Sequence, residues 1–204
     1  MTFEEYYYIE EGLKDKVKTL GLASLLALSS KADIPMISFG NDVGKPIASS
    51  NSVLFNDKLF NYIKKSEGAR SKLYKDSKGL WTIGIGHLVK PEELSKFKGK
   101  TLSEAEIQKI FNNDIVSKIA LAKQKIGNKF DSLSDDMKIA IIDGFFRGDL
   151  SGSPRSLQYI RSGKYKEAAK EYLNNAEYKS AKSSGSGVAS RMERNAKVIS
   201  SEQT

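Results

Sequence analysis

Strand-like sequence is confined to one short stretch of this 204-residue chain, and patterns typical of helices lie on both sides of it. Residues 72–76 and 80–87 are extended runs separated by a glycine-containing turn at 77–79, which predicts an antiparallel hairpin. One helix pattern precedes the hairpin, a long one follows it, and several short ones come after. The predicted fold class is therefore α+β, with a small antiparallel sheet lobe and a helical lobe joined by a long helix.

The helix before the hairpin is marked at both ends. Asn56 or Asp57 can cap its start, and Gly68 lies where it should stop. Its apolar positions have the spacing of one helix face. They are Leu59, Phe60 and Ile63.

The long helix after the hairpin begins with a capping box, in which Ser103 is followed three residues later by Glu106. Apolar residues then recur with a helical period. Four shorter segments downstream also suit helices: 137–146, 156–162, 166–174 and 189–199.

Residues 1–52 differ in composition from the rest and end in a polar stretch with glycine, proline and serine, which predicts an extension followed by a linker. The main domain is predicted at 53–204. Its parts are a hairpin lobe at about 66–100, an inter-lobe helix at about 103–122 and a helical lobe at about 123–204.

The chain is basic, with a formal net charge of +8. Residues 1–52 contain five lysines and seven acids, so the main domain carries +10. This balance favours an anionic partner, which charge alone leaves open as nucleic acid, an acidic membrane or an anionic cell wall.

The scarcity of two residue types excludes several classes of site. Cysteine is absent, so disulfides, thiol nucleophiles and thiolate metal sites are excluded. His87 is the single histidine, which rules out a zinc hydrolase with two or more histidine ligands. Any hydrolysis must therefore use carboxylates, lysines, hydroxyls or a magnesium-type site. No cluster of metal ligands is recognisable in the sequence, so no metal and no cofactor is expected.

Two acids flank the first strand of the hairpin. Glu67 lies at the end of the first helix, where the negative end of the helix dipole opposes ionisation, as a general acid requires. Asp76 follows nine residues later, at the start of the turn. Two carboxylates across a cleft are the minimum set for hydrolysis of a glycosidic bond.

The second strand of the hairpin is predicted to have two different faces, because side chains alternate along a strand. The predicted core face consists of Trp81, Ile83, Ile85 and His87. The other face has a hydroxyl and two positions without side chains, which leaves room for a sugar ring. It consists of Thr82, Gly84 and Gly86. A histidine on a core face needs a partner, and Asp114 of the long helix is the candidate.

Residues 66–70 and 74–88 together resemble the active-site block of the phage-type lysozymes, the family of T-even phage lysozymes and endolysins. The likeness continues more weakly through 103–114, 131–142, 165–169 and the arginines near residue 191. It covers about 53–204 and is specific only at the hairpin. Residues 1–52 have no counterpart in the minimal enzyme.

The resemblance implies the fold and the chemistry. It implies a lysozyme-like fold and an endo-acting N-acetylmuramidase, which cleaves the β-1,4 bond from N-acetylmuramic acid to N-acetylglucosamine with inversion. Glu67 would be the general acid, Asp76 the base or water holder, and Thr82 its helper. The implied partners are bacterial peptidoglycan and anionic wall polymers, with no specific nucleic acid. The protein would be a monomeric phage protein that acts on the host cell wall.

The resemblance also implies supporting residues. Arg191 matches the arginine that pairs with the catalytic glutamate, and the family's histidine–aspartate pair supports a contact between His87 and Asp114. Leu88, Phe146 and Arg147 are the expected substrate contacts, although the family often has glutamine where this chain has arginine. A loop at 183–187 that is longer and more flexible than in the family is also expected.

Two other functions compete with this one. A lytic transglycosylase would act on the same bond with one catalytic acid and no added water, which Asp76 and Thr82 argue against. A basic virion or nucleic-acid-binding protein that kept the fold would not need the acid pair. Release for lysis and entry with the particle are equally compatible with the sequence.

Three hypotheses remain for residues 1–52. The apolar run at 20–28, followed by Ser30-Lys31-Ala32, has features of a secretory signal, although its acidic start is atypical. The first twelve residues are similar to the leaders of T-even-type phage head proteins, with a processing site near 9–12. The third possibility is a helix packed on the main domain.

Overall fold

The computed structural model describes residues 50–203, with side chains from residue 53 onward. The chain divides into two units, 1–49 and 50–204. The alternatives for the predicted leader therefore fall almost entirely outside the described residues.

The described part of the chain is mostly helical, with one small sheet. The strands are β1 (Arg70–Lys75), β2 (Trp81–Gly84) and β3 (His87–Leu88). The helices are α1 (Ser50–Glu67), α2 (Leu94–Phe97), α3 (Glu104–Ile126), α4 (Lys129–Ser132), α5 (Asp135–Arg147), α6 (Pro154–Arg161), α7 (Tyr165–Tyr172), α8 (Ala176–Ser183) and α9 (Gly187–Ser201), with a 3-10 turn at Pro91–Glu93. The predicted α+β class is confirmed.

The sheet is antiparallel in the order β1-β2-β3, and it corrects the prediction of one long strand at 80–87. The strand ends at Gly84, where φ is +66°, and a second positive φ of +78° at Gly86 turns the chain back into β3. Such values are favourable for glycine alone, so these two residues form a turn and not an open strand face.

The predicted alternation of faces is wrong for the same reason. Trp81 is 40% exposed, whereas Thr82 on the predicted open face is buried. Gly84 is buried as well, and a β-carbon there would lie 3.5 Å from the side chain of Ile107 in α3. Ile83 and Ile85 are buried as predicted.

Helix α1 is longer at its start than predicted. It begins at Ser50, inside the predicted linker, and neither Asn56 nor Asp57 caps it. Asp57 instead accepts a hydrogen bond from Gln108 of α3 at 2.6 Å. The predicted core positions are correct, because Leu59, Phe60 and Ile63 are all buried.

Helix α3 begins at the predicted capping box, with both reciprocal hydrogen bonds between Ser103 and Glu106 present. It ends at Ile126, four residues later than predicted, and Gly127 follows with a φ of +71°. Its inward side chains pack between the two lobes, where the rings of Phe111 and Phe60 meet edge to face at 5.5 Å. Burial of a side chain of this size contributes about 1.5 to 3 kcal/mol to folding.

The helical lobe surrounds α5, which is the most apolar of its helices. The other predicted shorter helices, now α6, α7 and α9, are present with ends shifted by one or two residues. Sequence patterns missed α2, α4 and α8. Helices α2 and α4 have four residues each, too few for a period to be recognised. Helix α8 buries Ala181 alone, so it has no apolar stripe. No helix in the described part is long and apolar enough to cross a membrane.

Candidate active site

Glu67 is the last residue of α1, and local backbone geometry explains why the helix stops there. Gly68 adopts a φ of +72° and donates its backbone N–H to the carbonyl of Lys64 at 2.8 Å, which is a glycine C-cap. The chain then enters β1. The Glu67 side chain is 32% exposed, so its carboxyl remains within reach of a ligand.

The nearest described partner of Glu67 is a buried arginine from the far end of the described chain. Arg191 of α9 donates from Nη1 to Glu67 Oε1 at 2.5 Å. The same guanidinium donates from Nε and Nη2 to the two carboxylate oxygens of Asp143, at 3.1 and 2.7 Å. Asp143 lies on α5 and is fully buried. The arginine therefore links two carboxylates, one buried and one accessible.

The charge of Arg191 is secured by these two acids. Burial by itself would lower the pKa of the guanidinium, but hydrogen bonds and charge attraction from Asp143, and then from Glu67, raise the pKa above its usual value. Arg191 therefore remains a cation at every pH at which the protein is folded. Glu67 is always next to a positive charge.

Asp76 starts the turn between β1 and β2 and shapes that turn with its own side chain. Its Oδ1 accepts the backbone N–H groups of Lys78 and Leu80, both at 2.9 Å. Its backbone carbonyl also accepts the N–H of Gly79 at 3.0 Å. Aspartate is favoured in such turns because its oxygen bonds the backbone two residues later. Oδ2 lies outside these turn hydrogen bonds.

Strand β1 is irregular between the two acids. Arg70 pairs with Gly84 and Tyr74 pairs with Thr82, so four residue steps on β1 lie opposite two on β2. Because a strand rises about 3.3 Å per residue, this section covers about 7 Å along the sheet in place of about 13 Å. The irregularity thus shortens the path between the end of α1 and Asp76, and bulges of this kind occur frequently beside active sites.

Thr82 is connected to Asp76 through one residue. Its hydroxyl donates to the carbonyl of Leu80 at 3.2 Å, and the N–H of Leu80 donates to Asp76 Oδ1. Thr82 is 4% exposed, so only a small part of it faces solvent. Its hydroxyl oxygen retains lone pairs that can accept a hydrogen bond from a water molecule.

His87 and Asp114 are in contact, as the sequence predicted. Nδ1 of His87 lies 2.9 and 3.1 Å from the two carboxylate oxygens, which joins β3 to α3. The hydrogen bond that His87 donates to Asp114 raises the pKa of His87, partial burial of the ring opposes this, and the negative charge of Asp114 raises the pKa further. The raised pKa makes this pair sensitive to pH near neutrality.

We expect the substitution Asp114→Asn to destabilise the protein more at about pH 5.5 than at about pH 9. A group whose folded pKa is raised contributes stability that is complete below its ordinary pKa of about 6.5 and is lost as the pH rises through the raised value. The expected loss in unfolding free energy is about 1 to 2 kcal/mol at the lower pH, since Asp114 is 36% exposed. Urea denaturation at both pH values measures it.

The matched control is Asp131→Asn, which removes an acid from an exposed ion pair with Lys123. The control should change stability by the same small amount at both pH values. A loss for Asp114→Asn that stays constant or grows with pH would contradict the assignment of a charged His87 in this pair.

The expected substrate contacts lie in different surroundings. Leu88 is half-buried in β3, and the ring of Phe146 packs 6.2 Å from that of Phe111. Arg147 is held by Asp149 at 2.8 Å and by Glu177 at 2.6 Å. Its guanidinium therefore joins α5 to α8. Arg147 has this structural role whether or not it also contacts substrate.

Sequence reasoning missed the acid beneath Glu67. Asp143 is the only charged residue in the apolar run of 139–146, which packs α5 into the core. A charge in such a run requires a buried partner, because an isolated charge in the core is very costly. The sequence therefore indicates that Asp143 has a buried partner. It does not identify which arginine or amide side chain that partner is.

The described residues contain no group of three or more acids and histidines placed to hold a metal ion. The possible chemistry of the described site is that of carboxylates: proton donation by Glu67 and activation of a water by Asp76.

Comparison with known proteins agrees with the hairpin pattern. The family model for "Phage lysozyme" matches residues 64–195, which is more than half of the chain. Two proteins of Dictyostelium discoideum named "Probable T4-type lysozyme 1" and "Probable T4-type lysozyme 2" are 28% and 27% identical, covering 55% and 57% of this chain and 79% and 82% of their own. The "Endolysin" of Salmonella phage P22 is 36% identical over 26% of this chain and 36% of its own length.

The resemblance predicted from the hairpin is confirmed, since the matched region runs from the end of α1 through the helix that carries Arg191. The chain belongs to the phage lysozyme family of peptidoglycan hydrolases.

Proposed function

We propose that the protein is an endo-acting muramidase, which hydrolyses the β-1,4 bond from N-acetylmuramic acid to N-acetylglucosamine with inversion. The observation that carries this proposal is the placement of two acids at opposite ends of a shortened strand. Glu67 is paired with the guanidinium of Arg191, which stays charged. Asp76 is fixed in a turn by hydrogen bonds to its Oδ1, and these bonds do not use its Oδ2. These two environments suit different chemical roles.

Glu67 acts as the general acid. Arg191 holds Oε1, which leaves Oε2 to carry the proton that passes to the glycosidic oxygen. As the bond breaks, positive charge develops on the sugar ring and the sugar on the other side leaves as an alcohol. The same arginine then stabilises the carboxylate that remains, because it is already within hydrogen-bond distance.

Asp76 holds the attacking water. Oδ1 is fixed by two backbone N–H groups, so the carboxylate cannot rotate freely, and Oδ2 accepts a proton from the water as it attacks the anomeric carbon. Thr82 contributes a second hydrogen bond to that water. Attack from the face opposite the leaving oxygen converts a β bond into an α product, and it requires carboxyl groups about 6.5 to 9.5 Å apart.

The charge of the main domain fits this substrate. Residues 53–204 carry +10, and bacterial wall polymers carry carboxylates and phosphates. The attraction is long-range and is screened by salt. We further propose that the protein is a monomeric phage product that acts on the host wall.

Analysis of the products of purified peptidoglycan tests the proposal. Mass spectrometry should show fragments with a free N-acetylmuramic acid at the reducing end, each heavier by one water than an anhydro product. Proton NMR taken within the first minutes should show the α anomer before mutarotation equalises the two forms. Anhydro ends would identify a lytic transglycosylase, and an initial β anomer would identify retention.

A further inference from the structure

We infer that Asp143 is a positioning residue for the reaction: by neutralising Arg191 from beneath, it allows Glu67 to hold a proton beside a permanent cation. This inference rests on the proposed role of Glu67 as general acid. The difficulty that it resolves is electrostatic. A cation within hydrogen-bond distance favours the ionised form of a carboxyl, whereas a general acid must be protonated before the bond breaks.

The contacts of Asp143 are those of a group that fixes both the charge and the direction of Arg191. The two guanidinium nitrogens on one side of Arg191 bond the two oxygens of Asp143, in a planar two-point contact. Only Nη1 then remains directed toward Glu67. Rotation of the guanidinium away from Glu67 would break two hydrogen bonds to a fully buried carboxylate.

A second layer holds Asp143 in turn. Asn195 donates from Nδ2 to Asp143 Oδ2 at 2.8 Å, and Tyr62 donates to Asn195 Oδ1 at 2.8 Å. Tyr62 and Glu67 both belong to α1, so the hydrogen bonds run from α1 through α9 and α5 and back to α1. Arg191 and Asn195 are four residues apart and share one face of α9.

Other ionisable groups face this cluster from α9, α1, α7 and the loop after α5. Asp149 in that loop is a second buried acid whose charge interacts with that of Asp143, and it is paired with Arg147. Arg194 on α9 donates to Ser66 at 2.6 Å and lies 4.0 Å from Asp143, so it adds a second positive charge. Burial raises the pKa of Tyr62 on α1 and of Tyr172 on α7, and both therefore stay neutral in the working range. Asp143 is thus the buried negative charge that opposes two arginines beside Glu67.

The first test is Asp143→Asn, which removes that negative charge at nearly constant size. The initial rate of clearing of a peptidoglycan suspension is measured against pH. We expect the alkaline limb of the profile to move to lower pH by about one pH unit, because two uncompensated arginines favour the ionised form of Glu67. The maximal rate should fall by a larger factor than KM rises. The reason is that the substitution changes the fraction of Glu67 that carries a proton and does not remove a contact with substrate.

The matched control is Asp149→Asn. Asp149 is also a buried carboxylate paired with an arginine, and its side chain is 1% exposed, but its partner Arg147 does not contact Glu67. The charge of Asp149 interacts with Asp143 and not with Arg191, so the control should move the alkaline limb much less than Asp143→Asn does. Two results would overturn the inference. One is an alkaline limb that does not move in Asp143→Asn, and the other is a limb that moves equally in both variants.

A double variant covers the case in which Asp143→Asn does not fold. Asp143→Asn with Arg191→Met removes both charges of the buried pair, so neither of the two is left as an unpaired ion. Arg194, which donates to Ser66, then remains as the second cation beside Glu67. Its alkaline limb should lie at or above that of the parent. A limb at lower pH in this variant would show that Asp143 does not act through Arg191.

Spectroscopy separates this inference from the proposed function. The carboxyl carbon resonance of Glu67, assigned by comparison with Glu67→Gln, is followed by NMR as the pH changes, without substrate. It should respond at a lower pH in Asp143→Asn than in the parent. An inactive parent in which this difference is present would overturn the proposed function and support the coupling; an active parent without the difference would overturn the coupling alone.

Discussion

Glu67→Gln is expected to reduce peptidoglycan hydrolysis by a factor of about 10² to 10⁴, the typical contribution of a positioned general acid. Glutamine has the same shape and can still accept the hydrogen bond from Arg191, but it has no proton to give to the leaving oxygen. The fold should be retained, so the thermal midpoint and the circular dichroism spectrum serve as checks. The initial rate of release of reducing ends measures the effect.

The control for this substitution is Glu104→Gln. It removes the same charge from an exposed glutamate that pairs with Lys64, one turn of α1 before Glu67. The attraction of the protein to anionic wall polymers therefore changes equally in both variants. The control should keep nearly full activity, and a Glu67→Gln protein that does the same would eliminate Glu67 as the acid.

Asp76→Asn is expected to lower the rate by a factor of about 10² or more with little loss of stability. The asparagine side chain retains an Oδ1 that can accept the N–H groups of Lys78 and Leu80, so the turn should persist. What is lost is the negative charge that, in the proposed mechanism, takes a proton from the attacking water. This variant therefore separates the chemical role of Asp76 from its structural one.

Its control is Asp57→Asn, which makes the same chemical change at an acid whose side chain accepts a hydrogen bond from Gln108 on α3. Activity should be close to that of the parent. Undiminished activity in Asp76→Asn, together with anhydro ends in the products, would mean that the reaction uses one catalytic acid and adds no water. The protein would then be a lytic transglycosylase.

Local sequence signals predicted the end of α1 and the start of α3 correctly, but they placed the start of α1 six or seven residues too late. Gly68 ends α1 directly after Glu67, and Ser103 begins the helix that carries Asp114. These predictions succeeded because the deciding interactions lie within four residues along the chain. The contact of His87 with Asp114 spans 27 residues, and it was predicted because the resemblance added to the pattern.

The same signals misled where glycine has two explanations. Gly84 and Gly86 were predicted to leave an open strand face, yet their positive φ values turn the chain between β2 and β3. An absent side chain is compatible both with space for a ligand and with a turn, and alternation alone cannot distinguish them. The role of Asp143 was missed for another reason: its partners lie 48 and 52 residues away, beyond any local pattern.

The distance along the chain between Glu67 and Arg191 has a consequence for when their ion pair can form. The two residues are 124 positions apart, so the acid emerges from the ribosome long before its cationic partner exists. Contacts of such long range slow folding, because closing a long loop costs entropy before the contact is made. During synthesis the growing polypeptide therefore holds Glu67 without Arg191, and their ion pair forms only after α9 has been made.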